Sequence, residues 1–108
     1  MVFQELVWSL DESNHEEFLR NDFTVINFLS EWQMDCLMYL PIIESLAAEF
    51  EGKIFFGKVD VEESKEIAEK HSVRKVPSIL IFRNGKVIDR IDNFDSEDSL
   101  RDRICLLI

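Results

Sequence analysis

Two hydrophobic periods alternate along this chain, and each predicts a different kind of element. Short apolar runs, which suit strands, are separated by segments whose apolar residues return every three or four positions, which suits helices. The predicted strands lie at about 6–8, 23–29, 54–60, 76–82 and 87–91, and the predicted helices at about 15–21, 34–50, 62–71 and 95–107. Alternation of strand and helix in the first half predicts parallel strands with helices on both faces of a sheet.

The run 23–29 is apolar almost throughout, which is typical of a strand that is covered on both faces. Its exception is Asn27, a polar residue in the middle of the run. Because a buried polar group needs a hydrogen-bond partner, we expect the Asn27 amide to be satisfied inside the core.

The segment 34–50 predicts the longest helix. One stripe at the helical period is apolar and should face the core: Cys36, Leu40, Ile43, Ala47 and Phe50. Leu37 falls off this stripe. Pro41 lies inside the segment and should kink the helix axis, because proline removes one backbone hydrogen bond. The stripe predicts that the Cys36 thiol is buried.

Cap and turn signals bound the smaller elements. Ser13 and Glu16 have the spacing of a capping box, which would leave His15 in an exposed first helical turn. The pair Asn84-Gly85 favours a type I′ turn, so the last two strands should form an antiparallel hairpin at a sheet edge. Acidic residues at 95–98 would lie at the positive end of the last helix.

Composition narrows the classes of function. The chain has 108 residues, which suits one domain spanning 1–108. Its net charge is −10 and no window concentrates lysine and arginine, so nucleic-acid and anionic-membrane partners are disfavoured. The start, 1–5, lacks a signal-peptide pattern, and two cysteines without zinc-type spacing give no reason to expect a metal or another cofactor. A cytoplasmic location is the default expectation.

The stretch Trp32-Gln33-Met34-Asp35-Cys36 lies between the buried strand and the longest helix. A strand that delivers a tryptophan and then a cysteine to the start of a helix is the layout of a thioredoxin-type redox site. The chain resembles the thioredoxin family over nearly its whole length, and these residues carry the resemblance: 28–32, Cys36, Pro41, Lys58, Asp60, 76–78 and 82–87.

The resemblance implies an α/β thioredoxin fold, with a central mixed sheet of about five strands flanked by four helices. It also implies that Pro77 follows a cis peptide bond. In this family the backbone beside that proline pairs with an extended protein client, a form of strand addition. Carried over, Val76 offers those backbone groups. The client surface is then expected at Trp32 and Val76, with Met34, Leu37 and Phe94 adding apolar contacts.

Departures from the family pattern concern the chemistry. Gln33 occupies the position of the attacking cysteine, and an amide cannot attack a disulfide. Cys36 matches the second, resolving cysteine, and it should be a poor nucleophile because burial and the anion of Asp35 both disfavour a thiolate. Asn27 stands in place of the buried acid and cannot take a proton at neutral pH. The loop 92–94 lacks the glycine that the family places beside the client groove.

Two hypotheses follow. The first is a redox-degenerate module that binds protein or peptide clients without turning over disulfides. The alternative is a single-thiol enzyme of redox homeostasis, in which Cys36 exchanges through mixed disulfides. Cys105 is expected far from the loop, so it should not replace the missing thiol, since a disulfide needs Cα atoms within about 7 Å. A monomer is the default expectation.

Overall fold

The structure is a computed structural model that describes residues 6–92, 94 and 96–108. Predictions that concern 1–5, Asn93 and Asp95 lie outside the described residues. The elements in chain order are β1 (Val7–Ser9), α1 (His15–Phe18), β2 (Phe23–Leu29), α2 (Met34–Glu49), β3 (Phe55–Asp60), α3 (Lys65–Lys70), β4 (Ser78–Arg83), β5 (Lys86–Ile91) and α4 (Glu97–Cys105).

The strands form one mixed sheet in the order β1-β3-β2-β4-β5. β3 pairs parallel with both β1 and β2, whereas β4 pairs antiparallel with β2 and with β5. Positive φ angles at Asn84 (52°) and Gly85 (80°) fit the type I′ turn that joins β4 to β5. The predicted mixed sheet with four helices and an antiparallel edge is confirmed.

Strand β2 lies at the centre of the sheet, and every residue in it is buried. Because side chains alternate across a strand, Phe23 and Val25 pack on the face covered by α2 and α4, while Ile26 and Phe28 pack on the face covered by α1 and α3. Asn27 therefore points to the same face as α2.

The predicted stripe of α2 matches the structure closely. Cys36, Ile43, Leu46 and Ala47 are buried, and Phe50 is buried at the C-cap. Leu40, which belongs to the predicted stripe, is only half-buried. On the same face, Leu100 and Ile104 of α4 are completely buried, and α4 begins with a Ser96–Ser99 capping box.

The first helix differs from its prediction. It has four residues, and the Ser13 capping box is wrong because the Ser13 hydroxyl donates to Asp11 Oδ1 at 2.5 Å instead. His15 is not exposed: it is buried, and its ring lies edge-on to His71 with centroids 6.5 Å apart. The predicted second turn is also absent, because α1 ends at Phe18. The ring contact joins His15 to a residue far along the chain, which a surface interpretation of His15 overlooks.

Candidate functional site

The site lies where β2 ends and α2 begins. Gln33 is the N-cap of α2, and its backbone carbonyl accepts the N–H groups of Cys36 at 3.1 Å and Leu37 at 3.3 Å. The side chain of Gln33 makes no capping hydrogen bond and is exposed. An exposed group at this position lies at the positive end of the helix, where a thiolate would be stabilised but an amide has nothing to ionise.

Cys36 lies one turn further into α2 and has no exposed surface (0%). Its Sγ accepts the backbone N–H of Ser30 at 3.4 Å. Burial raises the pKa of the Cys36 thiol above its ordinary value, and the carboxylates of Asp35 and Asp60 raise it further, whereas the Ser30 N–H acts in the opposite direction. Burial is the largest of these effects, so the group is a protonated thiol at neutral pH.

Asn27 is also completely buried, on the sheet face that α2 covers. Neither its Oδ1 nor its Nδ2 has a hydrogen-bond partner among the residues that the structure describes. The expectation of a satisfied core amide is therefore wrong. Its neighbours in register are Ile79 on β4, which is apolar, and Lys58 on β3, which is half-buried and makes no hydrogen bond to it. A buried amide in this state opposes folding by about 1–3 kcal/mol.

Ser30 connects the site to the segment after β3. Its hydroxyl donates to Glu62 Oε1 at 2.7 Å and accepts the backbone N–H of Trp32 at 3.3 Å. Sequence reasoning missed both Ser30 and Glu62. A serine that directly follows a buried strand and can fold back on its own loop was the available signal.

Four apolar side chains are exposed around the start of α2. Trp32 is 83% exposed, Met34 72% and Met38 66%, and Leu37 is exposed to a lesser degree. Met38 was not among the predicted contact residues. Its position four residues after Met34 on one helix was the signal, because residues so spaced share a face.

The segment before β4 provides the other half of the predicted client surface. The Val76–Pro77 peptide bond is cis. Both residues are half-buried. Within the described ranges, neither the N–H nor the C=O of Val76 makes a hydrogen bond, so both backbone groups are free to pair with another chain.

Phe94 is less open than its neighbours in the predicted surface. Its ring packs on Tyr39 of α2 with centroids 4.3 Å apart, and it is half-buried against the core. Asp92, in the same loop, accepts the Ser78 hydroxyl at 3.0 Å. Asn93 lies outside the described residues.

Cys105 does not complete a dithiol. Both cysteines are free, with Cys36 buried and Cys105 exposed at the end of α4. The described helices include none that is long and apolar enough to cross a membrane.

Glu31, Asp60 and Glu63 bring their carboxylate oxygens within 4.8 Å of one another, the one such group of possible metal ligands in the described ranges. Exposed acidic groups cluster in this way without a metal, so the geometry alone assigns none.

Comparisons with known proteins agree with this architecture. The thioredoxin family model matches residues 6–105. The thioredoxin of Chlamydia caviae is 32% identical over 95 residues, which covers 88% of this chain and 92% of that protein. The thioredoxin of Rickettsia bellii is 34% identical over 91 residues, covering 83% and 87%. Among solved structures, an N21Q mutant thioredoxin from Halobacterium salinarum superposes with a TM-score of 0.84, at 24% identity and with 96% and 92% coverage, which supports the fold.

Proposed function

The chain belongs to the thioredoxin family of thiol-disulfide oxidoreductases, and from that premise we propose that it is a redox-degenerate member that binds extended protein segments without turning over disulfides. One observation carries the proposal. The exposed position at the N-terminus of α2 holds Gln33, while the single thiol of the motif, Cys36, has no exposed surface.

Disulfide exchange requires an accessible thiolate. Cys36 meets neither condition, because it is buried and burial raises its pKa. The proton acceptor is missing as well, since Asn27 occupies its place and an amide does not titrate at neutral pH. Three positions that would each carry part of the dithiol chemistry therefore carry none.

The groups expected to bind a protein client, in contrast, are retained. Trp32 and Met34 present large exposed apolar side chains, and Val76 presents a free backbone N–H and C=O. Backbone groups of this kind give affinity to an added strand, and adjacent apolar side chains contribute contact area. Thioredoxin-like proteins act on protein substrates, so an extended segment of a protein is the occupant that this surface fits.

The alternative, a single-thiol enzyme, rests on one contact. The Ser30 N–H donates to Cys36 Sγ and lowers its pKa. That effect is smaller than the effect of burial, so the contact supports a packed thiol better than a reacting one.

Redox activity is tested in a Cys105→Ser background, which removes the exposed thiol. Reduction of insulin disulfides by dithiothreitol should be no faster with this protein than without it. Gln33→Cys should accelerate the reaction, because a thiol at the N-terminus of α2 favours the thiolate and Cys36 can then resolve the mixed disulfide. Adding Asn27→Asp should increase the rate by a further factor of about 10². Gln33→Ser is the matched control and should remain inactive.

Turnover by the parent protein, or rapid alkylation of Cys36 in the folded state, would instead favour the single-thiol enzyme. A folded but inactive Gln33→Cys variant would locate the block in the loop that contains Asp92 and Phe94.

Client binding is tested with a neutral, extended apolar peptide by calorimetry. Trp32→Ala should weaken binding, because Trp32 is the most exposed large aromatic side chain among the described residues. Trp8→Ala is the matched control, since Trp8 is also exposed but lies on edge strand β1. Equal binding by both variants would remove the assigned surface.

A further inference from the structure

Four segments meet at the end of the sheet that carries the site. β2 and β3 are parallel and end there, while β4 runs antiparallel to β2 and begins there. The strand order places these segments side by side across the sheet. The segment after β3 is followed by residues 30–34, called the Trp32 loop, then by Val76–Pro77 and then by the end of β5. The exposed apolar side chains of the Trp32 loop therefore have a charged segment on either side.

At this end of the sheet, the side near β3 is acidic. Glu31, Asp60 and Glu63 hold their carboxylate oxygens within 4.8 Å of one another. Within the described part of the chain, none of the three forms a salt bridge. Lys58 is half-buried and lines the same hollow, so the local charge is three carboxylates against one ammonium.

The β4 side is basic. Arg74, Lys75 and Arg90 line one open hollow together with Ser78 and Asp92. Asp92 lies 3.9 Å from Lys75 and is the single acid there. Arg90 donates to the backbone carbonyls of His71 and Ser72, which fixes its guanidinium at the hollow. This excess of positive charge occurs in a chain whose net charge is −10.

We propose that the segment bound at this surface is charge-polar, with lysine or arginine at the end that lies over Glu31, Asp60 and Glu63 and aspartate or glutamate at the end that lies over Arg74 and Lys75. The proposal rests on the binding function above and specifies its partner. The apolar centre of the segment contacts Trp32 and Met34, and its backbone pairs with Val76. Charge complementarity selects the partner, because a segment with the opposite order of charges would place like charges together at both ends.

The test uses synthetic peptides that share one apolar centre. One has lysines at its amino end and glutamates at its carboxyl end, the second has these ends exchanged, and the third has glutamines at both ends. Pairing with the Val76 backbone fixes the direction of the chain, so only one charged order can match the surface. That order should bind roughly tenfold more tightly than the neutral peptide at low salt, and the other order more weakly than the neutral one. The advantage should shrink at about 0.3 M salt, where charges are screened over a few ångströms.

Protein variants identify the groups responsible. Glu31→Lys with Glu63→Lys should abolish the preference between the two charged orders while the neutral peptide still binds. Glu44→Lys with Glu51→Lys is the matched control, with the same change in net charge. Glu44 lies in the second half of α2 and Glu51 just after it, so both are away from the start of α2, and both are exposed. The preference between the two charged orders should persist in this control.

The outcomes separate the inference from the proposed function. Equal binding of all three peptides would overturn charge selection and leave client binding intact. Loss of the preference in the Glu44 and Glu51 control would also overturn it, because net charge alone would then explain the effect. Failure of every peptide to bind would overturn both.

Discussion

The α2 and α4 face of the sheet and the α1 and α3 face cover the same strands with very different helices. α2 has 16 residues and α4 has nine, whereas α1 has four and α3 has six. The long helices enclose an apolar cluster that extends from Val7 to Ile104. Beside the short helices, the cluster around Phe28 and Phe82 adjoins both histidines of the chain, His15 and His71.

Each face also joins its two helices by an ion pair, and the two pairs differ in quality. Arg101 of α4 contacts Glu49 of α2 at 2.8 Å through a guanidinium that is mostly covered, and it also binds Glu97 and Asp98. Lys70 of α3 contacts Glu16 of α1 at 3.1 Å with both side chains exposed. Networks of geometrically good Arg–carboxylate pairs contribute more than isolated exposed pairs.

The comparison bears on function because Asn27 and Cys36 lie on the α2 and α4 face. Both residues therefore lie on the face with the longer helices and the larger apolar cluster. On the other face, burial lowers the pKa of His71, so we expect that face to make the fold sensitive to acid.

The largest expected effect compares two isoleucines of equal burial. Ile43 of α2 and Ile67 of α3 are each 1% exposed, so truncation to alanine removes the same buried area from each face. Ile43→Ala should lower the free energy of unfolding by about 4 kcal/mol and Ile67→Ala by about 2–3 kcal/mol. The short helix α3 can move toward the void more easily, which reduces the cavity. Urea denaturation of both variants gives the comparison, and an equal or larger loss for Ile67→Ala would contradict it.

A smaller effect of opposite sign concerns one unpaired polar group on each face. Asn27 faces α2, and Thr24, three residues earlier on β2, faces the other side; the Asn27 amide and the Thr24 Oγ1 are buried without partners in the described residues. Asn27→Leu should stabilise the fold by about 1–2 kcal/mol and Thr24→Val by about 1 kcal/mol, because each removes a buried group that has lost its water. The same urea measurement applies. Destabilisation by Asn27→Leu would contradict this prediction and mean that the Asn27 amide makes a hydrogen bond that stabilises the fold.

Local patterns were sufficient to predict the parts of the fold that are determined locally. The apolar run predicted β2 with its observed bounds, Phe23–Leu29, because a central strand is buried on both faces. Asn84-Gly85 predicted the hairpin because only a few residues accept positive φ. The helical stripe correctly predicted that Cys36 is buried, because apolar residues at the helical period lie on one face of a helix.

What sequence reasoning missed depends on distant contacts. His15 is buried beside His71, the C-cap residue of α3, and no residue near His15 in sequence indicates that. The contact from Ser30 to Glu62 spans 32 positions and exists because β2 and β3 end side by side. Asn27 was expected to find a partner on general grounds, and only the packed surroundings reveal that it has none.

The smallest effect distinguishes the faces by pH. Burial lowers the pKa of His71 below its ordinary value of 6.5, and the positive charges of Lys70, His15 and Arg90 lower it further. The unfolded chain therefore binds a proton near pH 6.5 that the folded chain refuses, so stability is highest above that pH and falls as the solution is acidified. Between about pH 7 and about pH 5, the free energy of unfolding should decline more steeply for the wild type than for His71→Phe. Phenylalanine keeps the edge contacts to Phe28 and Phe82 but cannot titrate.

Any packing penalty of the larger ring shifts the whole curve of stability against pH and leaves its slope unchanged, so the slope of the free energy of unfolding, from urea denaturation at each pH, is the measured quantity. Asp11 and Glu16 have lowered pKa values and lose their contributions at more acidic pH, mostly below this window. If both proteins show the same slope, His71 is not the acid-sensitive group, and the α1 and α3 face differs from its opposite only in packing.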